Sequence, residues 1–325
     1  MSKLFYGQAI GKALADEMKR DERVVLWGED VASAGGIFGV SRGLVQAFGP
    51  GRVKDTPISE LGLTGVAVGA AMAGLRPVVE IMFMDFVGFA MDPIFNQAAK
   101  ISHMFAGQFS APLVIRTAAG GGFNAGPHHS QCLETWFAHI PGLKVVAPSM
   151  PSDAYGLLTT SIRDDNPVLF MEHKGLYAFK EEMPEETLSL PLGKANVVRQ
   201  GRDLTVVTYS RTVHTALKAD AALKEMGIHM ELIDLRTISP WDKETVLASV
   251  RKTHRLMVVH EAVKDFGVGA EISATVAERA MPSLNGPIVR LGAPFAPPAV
   301  SKPLEKRTLI HEGQIVEAAR QMVAP

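Results

Sequence analysis

Short runs of apolar, often β-branched residues alternate along this chain with stretches in which apolar residues recur at helical spacing. Such alternation is typical of βαβ units, whose parallel strands are covered on both faces by helices. In the first half, the pattern predicts strands at "RVVLWGED", "RVKDT", "RPVVEIMF", "APLVIRT", "LKVVAPS" and "PVLFMEH". It predicts helices over the amphipathic "MSKLFYGQAIGKALADEMKRDE", over residues 61–74 and about 85–105, and over "PSDAYGLLTTSIRD". The predicted fold class is therefore α/β.

A second α/β run follows a charged, proline-containing stretch, "KEEMPEETLSLPLGKANVVRQGRD". Its predicted strands are "LTVVTYS", "HMELIDL", "HRLMVVHEA" and "PIVRLGA", and its predicted helices cover residues 213–226, 242–251, 267–279 and the C-terminal end. Because 325 residues exceed one ordinary core, roughly two domains are expected. We predict two doubly wound domains, at residues 1–180 and 203–325, joined by a linker at residues 181–202.

Charge and cysteine content argue against several classes of protein. The formal net charge is −1 and there is no long basic run, so nucleic acid and anionic membranes are not expected partners. Cys132 is the only cysteine, which rules out an intrachain disulfide or cysteine metal cluster and suits a reducing cytoplasm. The N-terminal stretch resembles neither a secretion signal nor an acid-poor presequence. The longest weakly polar stretch, residues 61–75, is shorter than the ~20 residues that span a bilayer. We therefore expect a cytoplasmic protein without a membrane span.

The segment "DTPISELGL" places one carboxylate, Glu60, where a proline-stiffened turn enters a predicted helix. Ser59 is a typical N-cap, and an acidic residue in the first turn is stabilised by the helix dipole. Alternatively, Glu60 is held in this turn to transfer a proton. The residues of this segment alone favour capping. The helix that follows is rich in glycine and alanine, which suits close packing against a neighbouring helix.

The glycine-rich segment "TAAGGGFNAGPHHSQ" follows a predicted strand, where open α/β sheets place their ligands. It is neither a P-loop nor a dinucleotide fingerprint, because the required lysine, helix start and spacing are missing. It is either an active-site loop or a plain surface loop. Its pair His128–His129 suits acid–base chemistry or a hydrogen bond to a reacting oxygen, or it is a surface pair. A zinc site with Cys132, Glu134 or His139 would match no standard spacing.

Two further groups of residues allow more than one interpretation. In "SIRDDNPVLF", carboxylate, amide and carbonyl oxygens at the end of a helix could hold a cation, although Asp-Asp-Asn-Pro is also an ordinary turn. The phenylalanines Phe83, Phe86 and Phe89 are typical of a core, yet such a ring cluster could also stack against a flat heterocycle. The residues alone favour the turn and leave both roles of the rings open.

Taken in order, the motifs of both halves resemble those of one known family. The first half contains "GED" (residues 28–30), "DTPISE" (55–60), "GAAMAGLRPVVE" (69–80), "HSQ" (129–131), "PGLKVVAP" (141–148) and "IRDDNPV" (162–168), and the second contains "DLRTISPWD" (234–242) and "FGVGAEI" (266–272). Over essentially the whole chain, this looks like the β subunit of the thiamine-diphosphate-dependent first component of 2-oxo acid dehydrogenase complexes. The resemblance implies a pyrimidine-binding domain followed by a transketolase C-terminal-like domain.

The resemblance implies roles for four residues of this sequence. Glu60 matches the acid that hydrogen-bonds N1′ of the cofactor's aminopyrimidine ring, which makes capping and proton transfer compatible. Phe86 matches the aromatic residue stacked on that ring, and Glu29 belongs to an acidic position that lines the cofactor. His129 matches the active-site histidine near the reacting carbonyl and the incoming lipoyl group.

The resemblance also bears on metal ions and partners. A potassium site known in several members, largely of backbone oxygens, matches the following residues: Leu113, Ser161, Ile162, Asp164 and Asn166. The family anchors the diphosphate through Mg²⁺ held by a Gly-Asp-Gly segment, which this sequence lacks. The resemblance therefore implies that an α subunit holds the Mg²⁺ and completes each active site in an α2β2 heterotetramer.

The activity that the resemblance implies is oxidative decarboxylation of pyruvate, with acyl transfer to a lipoyl-lysine of the acyltransferase component. Cleavage of acetoin and decarboxylation of branched-chain 2-oxo acids are alternatives of the same class. A non-catalytic assembly scaffold is the alternative of another class, and the presence of Glu60, Phe86 and His129 counts against it. A ferredoxin-coupled oxidoreductase would need iron–sulfur cysteines, which one cysteine cannot supply.

Overall fold

A computed structural model describes residues 3–183 and 189–324, which form two compact units. The first unit comprises the described residues up to Ala119 together with Trp136–Leu192. The second unit comprises Gly120–Thr135 and the described residues from Gly193 onward. Among the described residues, no helix is long and apolar enough to cross a membrane.

The first unit is built on a parallel sheet. Its strands are β1 (Lys3–Phe5), β2 (Val24–Gly28), β3 (Val53–Asp55), β4 (Arg76–Phe83), β5 (Val114–Ala119), β6 (Lys144–Val146), β7 (Val168–His173) and β8 (Lys180–Glu182). Its helices are α1 (Tyr6–Arg20), α2 (Leu44–Phe48), α3 (Glu60–Met72), α4 (Ala99–Met104) and α6 (Pro151–Arg163), together with the last three residues of α5 (Glu134–Ala138). The strands lie in the order β6-β7-β5-β4-β2-β3 with parallel pairing, while β1 and β8 form a separate antiparallel pair.

The strands of this sheet form where the sequence has apolar runs. Every residue of β5 and of β7 is buried, as expected for strands covered on both faces. Helix α1 packs against α6, and both helices contribute to a core that contains Ile10, Leu14, Leu157 and Phe170. The predicted α/β class and the predicted N-terminal amphipathic helix are therefore confirmed.

The second unit has its own sheet and its own core. Its strands are β9 (Asn196–Arg199), β10 (Leu204–Thr208), β11 (Met230–Asp234), β12 (Thr237–Ser239), β13 (Leu256–Val263) and β14 (Val289–Ala293), and its helices are α7 (Arg211–Glu225), α8 (Lys243–Thr253), α9 (Val268–Ala280), α10 (Lys302–Thr308) and α11 (Glu312–Val323). The sheet order is β14-β13-β10-β11-β9, and pairing is parallel except at the edge strand β9. Apolar residues of α7 and α11, among them Leu223 and Ile315, join Leu204 and Met257 in the core.

The predicted linker at residues 181–202 contains regular structure at its C-terminal end. Strand β9 lies within it and pairs antiparallel with β11, so the linker prediction is wrong for residues 196–199. The reason is that a half-buried edge strand needs only a short apolar run, and "NVVR" does not stand out among its charged neighbours. Residues 184–188 of the predicted linker lie outside the described residues.

The continuous helix predicted over residues 85–105 is also wrong. The chain instead forms a 3₁₀ segment at Met84–Ala90, a π-helical segment at Asp92–Ala98 and then α4. Pro93 is the second residue of the π-helical segment, and it has no N–H to donate to a carbonyl one turn earlier. The helical periodicity is therefore present, but proline prevents a single α-helix.

Candidate cofactor-binding site

Three residues singled out from the sequence follow the carboxyl ends of neighbouring strands in the first unit. Glu29 comes directly after β2, Glu60 comes after the turn that follows β3, and Phe86 lies shortly after β4. Strands β3, β2 and β4 are adjacent and parallel, so these residues emerge at the same edge of the sheet. This is the edge at which open α/β sheets bind their ligands.

Glu60 is the first residue of α3 and is preceded by a side-chain cap. The Oγ atom of Ser59 accepts a hydrogen bond from the backbone N–H of Gly62 at 3.3 Å. The capping prediction for Ser59 is therefore confirmed. The half-buried carboxylate of Glu60 lies at the positive end of the helix dipole, where negative charge is stabilised. The proton-transfer role of Glu60 stays a prediction.

Glu60 is close enough to Glu29 to influence the ionisation of the Glu29 carboxyl group. Glu29 is half-buried, and desolvation by burial raises the pKa of its carboxyl group. The negative charges of Glu60 and, to a smaller extent, Asp30 raise the pKa of Glu29 further. A protonated carboxyl group at this edge can donate a hydrogen bond to a ring nitrogen, and an ionised one can accept from an amino group.

The turn after Glu29 is anchored to the end of β3. The carboxylate of Asp55 accepts hydrogen bonds from the backbone N–H of Ala32 at 2.7 Å and of Ser33 at 3.0 Å. Desolvation opposes ionisation of Asp55, but these hydrogen bonds outweigh it and lower the pKa of the carboxyl group. This anchor joins the segment after Glu29 to the strand that leads to Glu60, so it helps to set the spacing of the two acids.

Phe86 is supported by other aromatic rings. Its ring is perpendicular to that of Phe83, with centroids 5.8 Å apart, and Phe83 is perpendicular to Phe38 at 6.1 Å. Phe38 in turn stacks on Tyr177 at 4.5 Å. Phe89, the third phenylalanine of the predicted cluster, is 67% exposed and has a different environment. The half-buried Phe86 is thus held from one side by a ring cluster, which suits a platform for a flat ligand.

A buried charge network lies in the strands that lead to this edge, and the sequence reasoning missed it. Arg116 on β5 donates from Nη1 to Oε2 of Glu80 on β4 at 2.7 Å and from Nε to Oε1 of Glu172 on β7 at 2.7 Å. The hydroxyl of Tyr177 donates to Oε2 of Glu172 at 2.6 Å. Each of these strands carries a charged residue within an otherwise apolar run. That was the available signal, because a buried charge requires a partner.

The network shifts the ionisation of its members. Burial opposes the charge of Arg116, but the two carboxylates outweigh burial and raise the pKa of the guanidinium further above its usual range. Burial raises the pKa of Glu172, although Arg116 opposes this shift. Burial and the charge of Glu172 also raise the pKa of Tyr177. Since Tyr177 supports Phe38, this fixed network underlies the ring cluster that holds Phe86.

Three of the five residues predicted to bind potassium have oxygen atoms with cationic or N–H partners within the chain. Arg76 donates to the carbonyl oxygens of Ile162 and Asp164, each at 2.7 Å. The side chain of Asp164 pairs with Lys144, and the carbonyl oxygen of Leu113 accepts a backbone hydrogen bond from the first residue of β7 at 2.9 Å. Two cationic side chains, Arg76 and Lys144, thus contact this oxygen-rich turn.

The remaining two residues of the potassium prediction also make local bonds. The hydroxyl of Ser161 donates to the carbonyl oxygen of Leu157 at 2.7 Å, within α6. The backbone N–H of Asn166 donates to the carboxylate of Asp164 at 2.9 Å, which closes the turn. The potassium site stays a prediction, and these contacts support the turn instead.

His129 lies on the glycine-rich segment Gly120–Thr135, which groups with the second unit. Its side chain is half-buried, whereas His128 is exposed. Carboxylates of the second unit bind the backbone of this segment, Glu261 at Gly121 and Glu305 further along. By its contacts this segment groups with the second unit, although it lies within residues 1–180 of the predicted first domain, and the predicted boundary stays a prediction. Among residues 3–183 and 189–324, no three His, Cys, Asp or Glu side chains are grouped so that they could hold a metal ion.

Comparison with known families finds two transketolase-type domains along the chain. Residues 2–180 match the transketolase, pyrimidine binding domain, and residues 193–315 match the transketolase, C-terminal domain. The pyruvate dehydrogenase E1 component subunit beta of Bacillus subtilis is 43% identical, with 99% of both chains covered. The chain belongs to the family of E1-type beta subunits.

Other E1-type beta subunits differ in the activity that their names give. The acetoin:2,6-dichlorophenolindophenol oxidoreductase subunit beta of Cupriavidus necator is 46% identical, over 98% of this chain and 97% of that protein. The 2-oxoisovalerate dehydrogenase subunit beta of Bacillus subtilis is 42% identical over 99% of both chains. A solved structure of a split-gene transketolase, an inactive beta4 tetramer, has a TM-score of 0.81 over 98% of both chains at 20% identity. That structure confirms the fold.

Proposed function

We propose that this chain is the β subunit of a thiamine-diphosphate-dependent dehydrogenase, and that its first unit binds the aminopyrimidine end of the cofactor. The observation that carries the proposal is the position of Glu29, Glu60 and Phe86 together at the carboxyl edge of β3, β2 and β4. Membership of the E1-type beta subunits supports it. The roles of the three residues rest on their resemblance to the family's ring-contacting positions.

The residues present fit an aminopyrimidine ring. Glu60 would exchange a proton with the ring nitrogen N1′ from a fixed place at the start of α3. Phe86 would offer its ring face, and Glu29 would supply a second acid whose pKa is already raised by burial. When bound, thiamine diphosphate supplies an acidic thiazolium carbon and an electron sink for cleavage of a 2-oxo acid or an acetoin. His129 would orient the reacting oxygen by hydrogen bonding.

We also propose that α3 contributes to the interface with an α subunit in an α2β2 heterotetramer. One face of α3 is exposed and apolar, with Leu61 54% and Val66 64% exposed. A Cβ atom placed on Gly65 or Gly69 would have no neighbour within 4 Å among the described residues. Exposed apolar patches of this kind mark interaction sites. The sequence prediction that this helix packs closely then applies to a partner chain, which would also hold the Mg²⁺.

Co-expression with the α subunit tests the proposed function. The purified pair would be assayed with thiamine diphosphate, Mg²⁺ and an artificial electron acceptor, against pyruvate, acetoin and 2-oxoisovalerate in parallel. We expect turnover of one of these compounds, and only when both chains and the cofactor are present. A second assay with a lipoylated domain as acceptor tests acyl transfer. Failure of the assembled pair to bind the cofactor and to turn over any of the three would overturn the proposal.

A further inference from the structure

The backbone of the glycine-rich segment is bound by two carboxylates of the second unit. The N–H of Gly121 donates to Oε1 of Glu261 at 2.6 Å, and the N–H of Gly122 donates to Oε1 of Glu305 at 2.8 Å. The N–H of Asn124 donates to both oxygens of Glu305, at 3.1 and 3.0 Å. The side-chain amide of Asn124 adds a bond to Oε2 at 3.0 Å. We call Glu261 and Glu305, with these bonds, the carboxylate clamp.

Both carboxylates of the clamp are held in place by the fold. Glu305 lies on α10 and is 3% exposed, while Glu261 lies in β13 with a largely buried side chain. Arg211 lies 3.8 Å from Glu261 and donates to the carbonyl oxygen of Gly121 at 3.4 Å. Buried carboxylates that accept several N–H bonds make strong, charge-assisted interactions. The clamp therefore fixes the first half of the segment against two distant parts of the chain.

The sequence around the clamp is adapted to this geometry. Gly122 has φ +96°, and a Cβ atom there would lie 3.0 Å from Nη1 of Arg211. Asn124 has φ +56°, a conformation that asparagine tolerates better than most residues. Successive N–H groups in such a turn form a concave site for an anion. Here the protein's own carboxylates fill that site. The backbone N–H groups of the glycine-rich segment therefore bind Glu261 and Glu305 and are not available to a phosphate.

The far end of the same segment is fixed as well. Glu134 is fully buried and accepts a hydrogen bond from the hydroxyl of Tyr209 at 2.6 Å. The histidine pair His128–His129 lies between this anchor and the carboxylate clamp. A segment bound at both ends by buried carboxylates has little freedom to reorient the residues between them.

We propose that Glu305 and Glu261 are positioning residues, which fix the glycine-rich segment so that His129 keeps the orientation needed for turnover. The catalytic part of this inference rests on the proposed function, which gives His129 its role. The structural part does not, because the clamp is formed within this chain.

Hydrogen–deuterium exchange of the full chain, alone and with its α subunit, tests the clamp. In Glu305→Gln, an NH2 group replaces one of the two carboxylate oxygens, so that a donor faces the N–H groups of Gly122 and Asn124. We expect amide exchange of residues 120–127 to accelerate at least about tenfold, while strand β10 stays protected. Glu312→Gln removes the same charge from an exposed residue of α11 and should leave this segment unchanged. Asn124→Gly keeps the backbone bond and removes only the side-chain bond, so a smaller acceleration is expected.

Kinetics of the assembled enzyme then test the positioning role. Glu305→Gln should lower kcat at least about tenfold with little change in KM, and the double variant with His129→Ala should be no slower than His129→Ala alone. Unchanged exchange in Glu305→Gln would overturn the clamp. If Glu305→Gln exchanges faster but keeps full activity, the positioning of His129 is overturned. The same holds if the losses of kcat in Glu305→Gln and His129→Ala are additive in the double variant. Full activity of His129→Ala would instead refute the proposed role of that histidine, while the exchange data judge the clamp independently.

Discussion

Acidification should destabilise the second unit through one buried histidine, His260. The residue is fully buried, and its ring stacks on Tyr209 with centroids 6.2 Å apart. Nδ1 donates to the carbonyl oxygen of Ala262 at 3.0 Å, and Nε2 has no hydrogen-bond partner among the described residues. Backbone crowds the ring as well, since a Cβ atom on Gly267 would lie 2.6 Å from Cε1. A proton added at Nε2 would therefore be buried without a partner.

The size of the effect follows from the ionisation of His260. Burial lowers its pKa from 6.5 to about 4, the hydrogen bond to Ala262 opposes this shift, and the charge of Arg290 adds to it. The unfolded chain binds this proton more readily than the folded chain does. The contribution of neutral His260 to stability is therefore fully present above the pKa of the unfolded state, and it is lost as the pH falls toward the pKa of the folded state. Linkage with these two pKa values gives a loss of about 2 kcal/mol between about pH 7.5 and about pH 5, and about 3 kcal/mol in the limit of low pH.

Urea unfolding of the wild-type chain and of His260→Gln, at both pH values, measures this loss. The variant lacks the titrating group, so it should lose about 2 kcal/mol less on acidification than the wild type, whatever its stability at neutral pH. His139→Gln, at an exposed position, is the matched control and should behave like the wild type. Equal pH dependence in His260→Gln and the wild type would refute the account of His260 as a buried neutral group.

Three further predictions concern assembly with the α subunit, the buried charge network around Arg116 and the predicted potassium site. Gly69→Leu should leave the isolated chain as stable or up to about 1 kcal/mol more stable, because leucine favours helix and a Cβ atom at this position has no neighbour within 4 Å. Light scattering should nevertheless show loss of the αβ assembly, and an intact complex would remove α3 from the interface. Arg116→Met should lower the free energy of unfolding in urea by about 3–5 kcal/mol, because it leaves two buried carboxylates without their cation. Adding Glu80→Gln and Glu172→Gln should recover much of this loss, and no recovery would refute the charge argument. Exchange of potassium for sodium should not shift the melting temperature, because Arg76 already donates to two carbonyl oxygens of the turn. A clear shift would support the predicted potassium site.

The sequence was most informative where one local pattern decides the structure. The apolar run "RPVVEIMF" coincides with β4, and Ser59 caps α3 as its position before Glu60 predicted. The carboxyl-edge position of Glu29, Glu60 and Phe86 also follows from the βαβ order, because parallel neighbours end on the same side. In the sequence analysis, however, it was the family resemblance that singled out these three residues together.

The features that were missed depend on partners far away in the sequence. The carboxylate clamp joins Gly121 and Asn124 to Glu261 and Glu305, which are more than a hundred residues distant, so no local signal assigns the segment to the second unit. The partners of Arg116 lie on two other strands, although its charge within "APLVIRT" indicated that partners must exist. Pro93 is a local signal for the break in the predicted long helix, because proline has no N–H to donate within an α-helix.

The central claim is that this chain supplies the proton-transferring acid of a thiamine-dependent site, and Glu60→Gln in the assembled enzyme tests it most directly. Glutamine keeps the size of the side chain at the start of α3 but cannot gain or lose a proton at working pH. Turnover of the best substrate should fall at least about 100-fold, while the melting temperature and the assembly mass remain those of the wild type and of the exposed-charge control Glu312→Gln. Turnover within a few-fold of the wild type, with cofactor bound, would remove Glu60 from the mechanism and contradict the account.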